Sequence, residues 1–178
     1  GARQGHAMAY GSLQKQLLLF GGEVKSAVNS ETWLWDGKVW KLLSKEGPQP
    51  RSFHAMAYSD NCDAVVLFGG GANNAFGLGD TWEWSGKAWN QIGSGKPTPR
   101  GQTAMAHDSA RNQTVLFGGT RTLKDWLGDT WLLGLNQAAP QVTSVDVVCG
   151  ESTAVVTFDH SVSRSSAESV SNYLLTCG

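Results

Sequence analysis

Residues 120–128, TRTLKDWLG, place Arg121, Lys124, Asp125 and Trp126 within six positions. A tryptophan flanked by cations and an acid can stack on a sugar ring or anchor a peptide, with the charges orienting the ligand. Two stretches at matching places, EVKSAVNS (23–30) and GANNAFGLG (71–79), add Lys25, Asn73, Asn74 and Phe76 but no Trp and no such charge cluster. This is binding chemistry, and nothing comparable points to catalysis. His6 and His54 each open a copy of the pentapeptide HAMAY. Equivalent atoms on packed sheets lie about 10 Å apart, whereas metal–nitrogen bonds are about 2 Å, so these histidines read as structural. His107 and His160 have no partner at ligand spacing. GSGKPT (93–98) lacks the Gly and Ser/Thr of a phosphate loop at Asn90 and Pro97. No catalytic residue, metal or cofactor is expected.

These residues must be positioned by short strands. In residues 51–92, HAMAYS (54–59), AVVLF (64–68), TWEWS (81–85) and KAWNQI (87–92) are strand-length runs separated by turn residues. A Ser-Gly turn joins the last two. Together they form a four-stranded antiparallel meander, with strands A to D in order. The pattern recurs on both sides: HAMAY at 6–10 and TAMAH at 103–107, LLLFGG at 17–22 and TVLFGG at 114–119, ETWLW at 31–35 and DTWLL at 129–133. Arg3, Arg51 and Arg100 each precede strand A by the same interval, at offsets of 48 and 49 residues.

A period of about 50 residues with four strands per repeat is that of a propeller blade. The Arg-x-x-His start, the Gly-Gly after strand B and the Trp residues of strands C and D resemble the kelch repeat. The resemblance covers about residues 1–136 and implies an all-β, kelch-type propeller with blades at 3–46, 51–93 and 100–136. Trp33, Trp82 and Trp131 are expected to fill the wedges between blades. The recurring acids Glu31, Asp80 and Asp129 and the recurring arginines are candidates for charge-assisted contacts between or within blades. Alternation of strand direction puts the D–A and B–C loops on one face. The B–C loops are long and differ between blades, so unrepeated residues there are the candidate ligand-binding set: Lys25, Asn73, Asn74, Phe76, Arg121, Lys124, Asp125 and Trp126.

Blade 3 lacks a Gly-Lys-x-Trp hairpin and a D strand. The kelch resemblance implies that such a blade is the last and that earlier blades lie upstream. Three blades fall short of the 4–8 of a normal ring, so the exposed blade faces are expected to meet upstream blades or to self-associate. From Pro140 the sequence becomes Val/Thr/Ser-rich without Trp, and PQVTSVDVV, TAVVTFDHSV and SNYLLTC resemble the first half of a bacterial immunoglobulin-like domain. Residues 140–178 therefore read as a partial β-sandwich. Of the three cysteines, Cys62 stands alone in an A–B turn, while Cys149 and Cys177 are open to a bridge or to two separate thiols.

Net charge is −1 and the pI about 6.5, without the basic footprint of a nucleic-acid binder. No apolar run reaches transmembrane length. The reading is a non-catalytic binding or scaffold module, for a protein or carbohydrate ligand, within a larger secreted or surface protein. The rival is an enzyme fragment, since a kelch-plus-immunoglobulin layout is similar to galactose oxidase and some kelch propellers isomerise sugars. The resemblance implies Tyr and His copper ligands with a Tyr–Cys crosslink. No such set can be placed on the three tyrosines here, because Tyr10 and Tyr58 are repeat positions. A purely architectural repeat is the third reading.

Overall fold

A computed structural model describes residues 1–11, 15–60, 63–71, 77–122, 124–133, 142–147 and 154–158. The chain divides into two compact units, Gly1–Gly134 and Leu135–Gly178. In the first, blade 1 comprises β1 (Ala7–Gly11), β2 (Gln16–Phe20), β5 (Thr32–Trp35) and β6 (Trp40–Ser44), with a small ribbon, β3 (Glu23–Val24) and β4 (Ala27–Val28), between its B and C strands. Blade 2 comprises β7 (Ala55–Ser59), β8 (Ala64–Phe68), β9 (Asp80–Trp84) and β10 (Trp89–Ser94). Blade 3 has three described strands, β11 (Ala104–Asp108), β12 (Gln113–Phe117) and β15 (Thr130–Leu133), plus a ribbon of β13 (Thr120–Thr122) and β14 (Asp125–Trp126). In the second unit β16 (Val142–Val147) pairs with β17 (Ala154–Phe158). The rest of the expected sandwich, including Cys149 and Cys177, lies outside the described residues, as does Cys62.

Every blade is an antiparallel meander in one register. Met8 faces Leu19, which faces Trp33. Met56, Leu67 and Trp82 repeat that row in blade 2, and Met105, Leu116 and Trp131 repeat it in blade 3. Each blade thus has a Met face and a small-residue face. The core lies where the small-residue face of blade 1 (Ala9, Leu18, Phe20) meets the Met face of blade 2 (Met56, Leu67, Trp84). β7 contacts both β1 and β11, so blade 2 stands between its neighbours.

The indoles buried at this seam are Trp84 and Trp89, not the three singled out from the sequence. Trp89 meets Phe20 edge-on at 5.2 Å, and its Nε1–H donates to Thr32 Oγ1 at 2.9 Å. Trp82 packs only at the margin of the cluster, because its indole N–H is directed to Asp80. Trp33 lies on the uncovered face of blade 1 and is half-buried.

The acid and arginine meet within each blade. Arg51, fully buried, donates from both terminal nitrogens to Asp80 (2.7 and 2.8 Å), from Nη1 to Gly69 O and from Nε to Gln49 O. Trp82 Nε1–H donates to Asp80 Oδ2. Arg100, Asp129 and Trp131 repeat the arrangement, and Arg3, Glu31 and Trp33 form a looser version. These clasps tie strand C to the arriving D–A connection. Gly70 shows why the Gly-Gly pair is needed here: its φ is +92°, and a Cβ would sit 2.7 Å from Ser52 O.

Candidate functional site

The D–A and B–C segments share one face, as isolated bridges join Gln4 to Glu23, Ser52 to Gly71 and Gly101 to Thr120. Between blades this face is stitched by backbone bonds. Phe53 N–H donates to Gly5 O at 2.7 Å, and Gln102 N–H donates to Phe53 O at 2.8 Å. Gly5, Phe53 and Gln102 hold equivalent places and all have positive φ (62°, 57° and 54°). A bulky residue such as Phe rarely adopts that conformation, which is stored strain held by the surrounding bonds. Ser52 Oγ–H donates to Glu23 Oε1 across the same seam at 2.9 Å. This rim escaped the sequence reading. Its signal was present in the x positions of Arg-x-x-His, which differ in every blade.

Ribbon β13–β14 carries the charged loop of blade 3. Thr120 is fully buried and pairs with Trp126, and its hydroxyl lies against the carbonyls of Thr122 and Asp125. Leu127 N–H donates to Gly119 O at 2.9 Å, closing the base of the ribbon. Trp126 is 67% exposed on this anchored ribbon. Arg121 Nε–H donates to Asp125 Oδ2 at 2.6 Å, and its Nη2 lies 2.5 Å from the same oxygen. These two charges largely satisfy each other, so they brace the ribbon instead of standing free to orient a ligand. Lys124, at the turn, is exposed.

Lys25 occupies the corresponding ribbon of blade 1. Lys25 and Ser26 both have positive φ (50° and 65°), the geometry of a two-residue turn matched to strand twist. The side chain is exposed, but blade 2 stands between it and Trp126. Asn73, Asn74 and Phe76 lie outside the described residues. Of the sequence-predicted set, the structure therefore brings together Arg121, Lys124, Asp125 and Trp126, and leaves Lys25 apart.

The histidines sit beneath this face. Burial, helped by the charge of Arg51, lowers the pKa of His54 to about 3. Its ring meets Phe20 edge-on at 5.5 Å. His6 is lowered by burial and then by Arg3. Both are neutral packing groups at pH 7. Among the described residues, no group of three or more His, Cys, Asp or Glu could hold a metal ion. No helix among them is long and apolar enough to cross a membrane.

The comparisons with known proteins agree with this architecture. The solved structure of YjhT superposes with a TM-score of 0.58 at 16% identity, over 74% of this chain and 42% of that one. At that identity the likeness concerns the fold, and this chain spans about two fifths of YjhT's length. No curated protein sequence matches. The KLHDC2/KLHL20/DRC7 Kelch-repeats domain matches residues 1–139. On that match and on the three repeated meanders, the chain belongs to the kelch-repeat family.

Proposed function

We propose that the Gly1–Gly134 unit is a non-catalytic binding module whose ligand, a segment of another protein, docks on the face formed by the D–A and B–C loops. The observation that carries this reading is Trp126, largely exposed on a ribbon that the buried Thr120 anchors. A large indole left in water on a rigid support is the side chain best suited to become the centre of an interface. Protein interaction is also the usual work of kelch repeats. The flat indole beside a self-neutralised Arg121–Asp125 pair suits a sugar ring as well, so a carbohydrate is the second reading. The wider setting belongs to the proposal: a secreted or surface multidomain protein in which an immunoglobulin-like segment follows the propeller. A galactose-oxidase-like or sugar-isomerising activity and a purely architectural repeat are the rivals.

Selection from a displayed peptide library, with a glycan array in parallel, tests the reading. Peptide binders lost on Trp126→Ala, with an unchanged melting temperature, support it. Sugar hits with the same dependence favour the second reading. Binders that ignore Trp126→Ala refute the placement.

A further inference from the structure

The seam between blades 1 and 2 carries two unrepeated groups on the loop face, a carboxylate and an aromatic ring. The carboxylate is that of Glu23, on the blade 1 ribbon. It accepts Ser52 Oγ–H at Oε1 and Gln4 Nε2–H at Oε2, each at 2.9 Å. Among the described residues Glu23 makes no ion pair. Its charge is therefore held by neutral donors alone, and each oxygen keeps a second acceptor site. The main chain is fixed as well, since Gln4 and Glu23 exchange both backbone bonds, at 3.1 and 2.8 Å. The side-chain bond from Gln4 lies at the surface, so that flank of the carboxylate is open to a ligand.

The ring is that of Phe53, which follows Ser52 and is half-buried. Its φ of +57° is costly for a bulky residue, and the equivalent places hold Gly5 and Gln102. The backbone therefore has no need of Phe here. Its N–H and C=O are bonded to the blades on either side, at 2.7 and 2.8 Å, which fixes the direction of the side chain. The ring edge lies over Gly5: a Cβ there would stand 3.4 Å from Cε1 and from Cζ. Gln4 and Ser52, which hold the carboxylate, are the chain neighbours of Gly5 and Phe53, which place the ring. Ring and carboxylate thus stand side by side. The seam between blades 2 and 3 has Gln102 and Gly71 at these places, so it offers neither group.

We propose that Glu23 and Phe53 form a site for one arginine side chain of the segment that docks on this face. The inference rests on the reading that a protein segment binds there, and it gives that segment its chemistry. A guanidinium fork pairs with both oxygens of a carboxylate, and its planar face stacks on an aromatic ring. Glu23 has one free acceptor site on each oxygen for the fork, and Phe53 supplies the ring. Lysine brings a point charge without the fork. An apolar side chain would strip water from Glu23 and leave it unpaired, and an acid would be repelled. The strained backbone of Phe53 then has a use: the ring is already ordered before the ligand arrives, which lowers the entropy lost on binding.

Random peptides displayed on phage are selected on the full chain, and the strongest binder is synthesised for calorimetric titration. Arginine should recur at one position of the selected peptides. Replacing it with lysine, or using Glu23→Gln or Phe53→Gln protein, should each weaken Kd about tenfold or more. The preference for arginine over lysine should vanish in Glu23→Gln. Melting temperatures should hold, because Gln still accepts from Ser52 at position 23 and is the residue found at the equivalent place, 102. Peptides without a recurring arginine overturn the proposal. So do variants that bind like the wild type, or that lose binding only as far as they lose stability. If Phe53→Gln does not fold, Phe53→Leu keeps the apolar bulk without the π face and should show the same loss; unchanged binding refutes the site. Trp126→Ala, run in parallel, separates this site from the broader reading. Binders that need Trp126 but neither Glu23 nor Phe53 sink the arginine site alone. Binders that need Glu23 and Phe53 but not Trp126 uphold it and remove Trp126 as the anchor. A library that yields no binder sinks both.

Discussion

Arg51→Met removes the centre of the blade 2 clasp and leaves Asp80 holding only Trp82. The guanidinium is fully buried and makes four hydrogen bonds, two of them to one carboxylate. Burial alone would raise the Asp80 pKa, but the hydrogen bonds from Arg51 and then Trp82 outweigh it and hold the pKa below its ordinary value. Removing one partner of a buried pair costs about 3–5 kcal/mol, mostly through the stranded charge and unmet carbonyls. The Asp80 side chain is 18% exposed, so water recovers part of the loss and about 3 kcal/mol is expected. The equivalent Arg100→Met should cost less, because Asp129 is 42% exposed. Urea unfolding followed by tryptophan fluorescence is the assay, and it reports the blade unit alone because all eight Trp lie between Trp33 and Trp131. A cost for Arg51→Met below about 1 kcal/mol, or one smaller than that of Arg100→Met, would refute the reasoning.

Trp89→Ala should destabilise the blade unit by about 3–5 kcal/mol in the same assay, since it opens a cavity against Phe20 and strands Thr32; a cost near that of a surface substitution would contradict the seam described. Stability should fall in acid in two steps. His54 has a folded pKa of about 3, below its ordinary 6.5, so the unfolded state takes up the extra proton and stability drops as pH falls below 6.5, by about 1.4 kcal/mol per unit for one proton. Asp129, lowered to about 2 chiefly by the hydrogen bond from Arg100, adds stability above its unfolded pKa that is lost as pH falls toward 2. Stability curves of His54→Thr, the residue type that blade 3 places at Thr103, should show a shallower first step, the remainder coming from His6, whose pKa burial also lowers; an unchanged slope between pH 6.5 and 4 would exclude His54 as a source.

The all-β fold and its repeated four-strand pattern were legible because the apolar period of two and the Gly-Gly landmarks repeat in order. The pairing of arginine with acid was legible as chemistry, but not its depth. Arginine is seldom buried, and the Gly69 and Gln49 carbonyls that converge on it, together with the Asp80 carboxylate, make a fully buried Arg51 tolerable. Alternation assigns Trp82 and Trp84 to one face, yet cannot say which is covered. That is decided by the packing of Trp84 on Trp89, which meets Phe20 of blade 1, and by the hydrogen bond from the Trp82 indole N–H to Asp80. The positive φ of Phe53 and Gln102 was invisible, because neither residue type announces it; neighbouring blades impose it through their backbone bonds. In the loop of blade 3 the residue types were informative and their use was not. The spacing of Arg121 and Asp125 gave no sign that they close on each other across a two-stranded ribbon.

The claim on which the functional account rests is that the exposed indole of Trp126 is the anchor of the loop face. Calorimetric titration of the strongest selected ligand into the intact chain tests it, with Trp126→Ala, Trp126→Tyr and, in the C–D turn of the opposite face, Lys87→Ala compared in parallel. The account predicts that Trp126→Ala weakens Kd by at least about tenfold, or 1.4 kcal/mol, that Trp126→Tyr recovers most of the affinity, and that Lys87→Ala leaves it unchanged. A Trp126→Ala protein that binds as tightly as the wild type, or a loss with Lys87→Ala equal to that with Trp126→Ala, would contradict it.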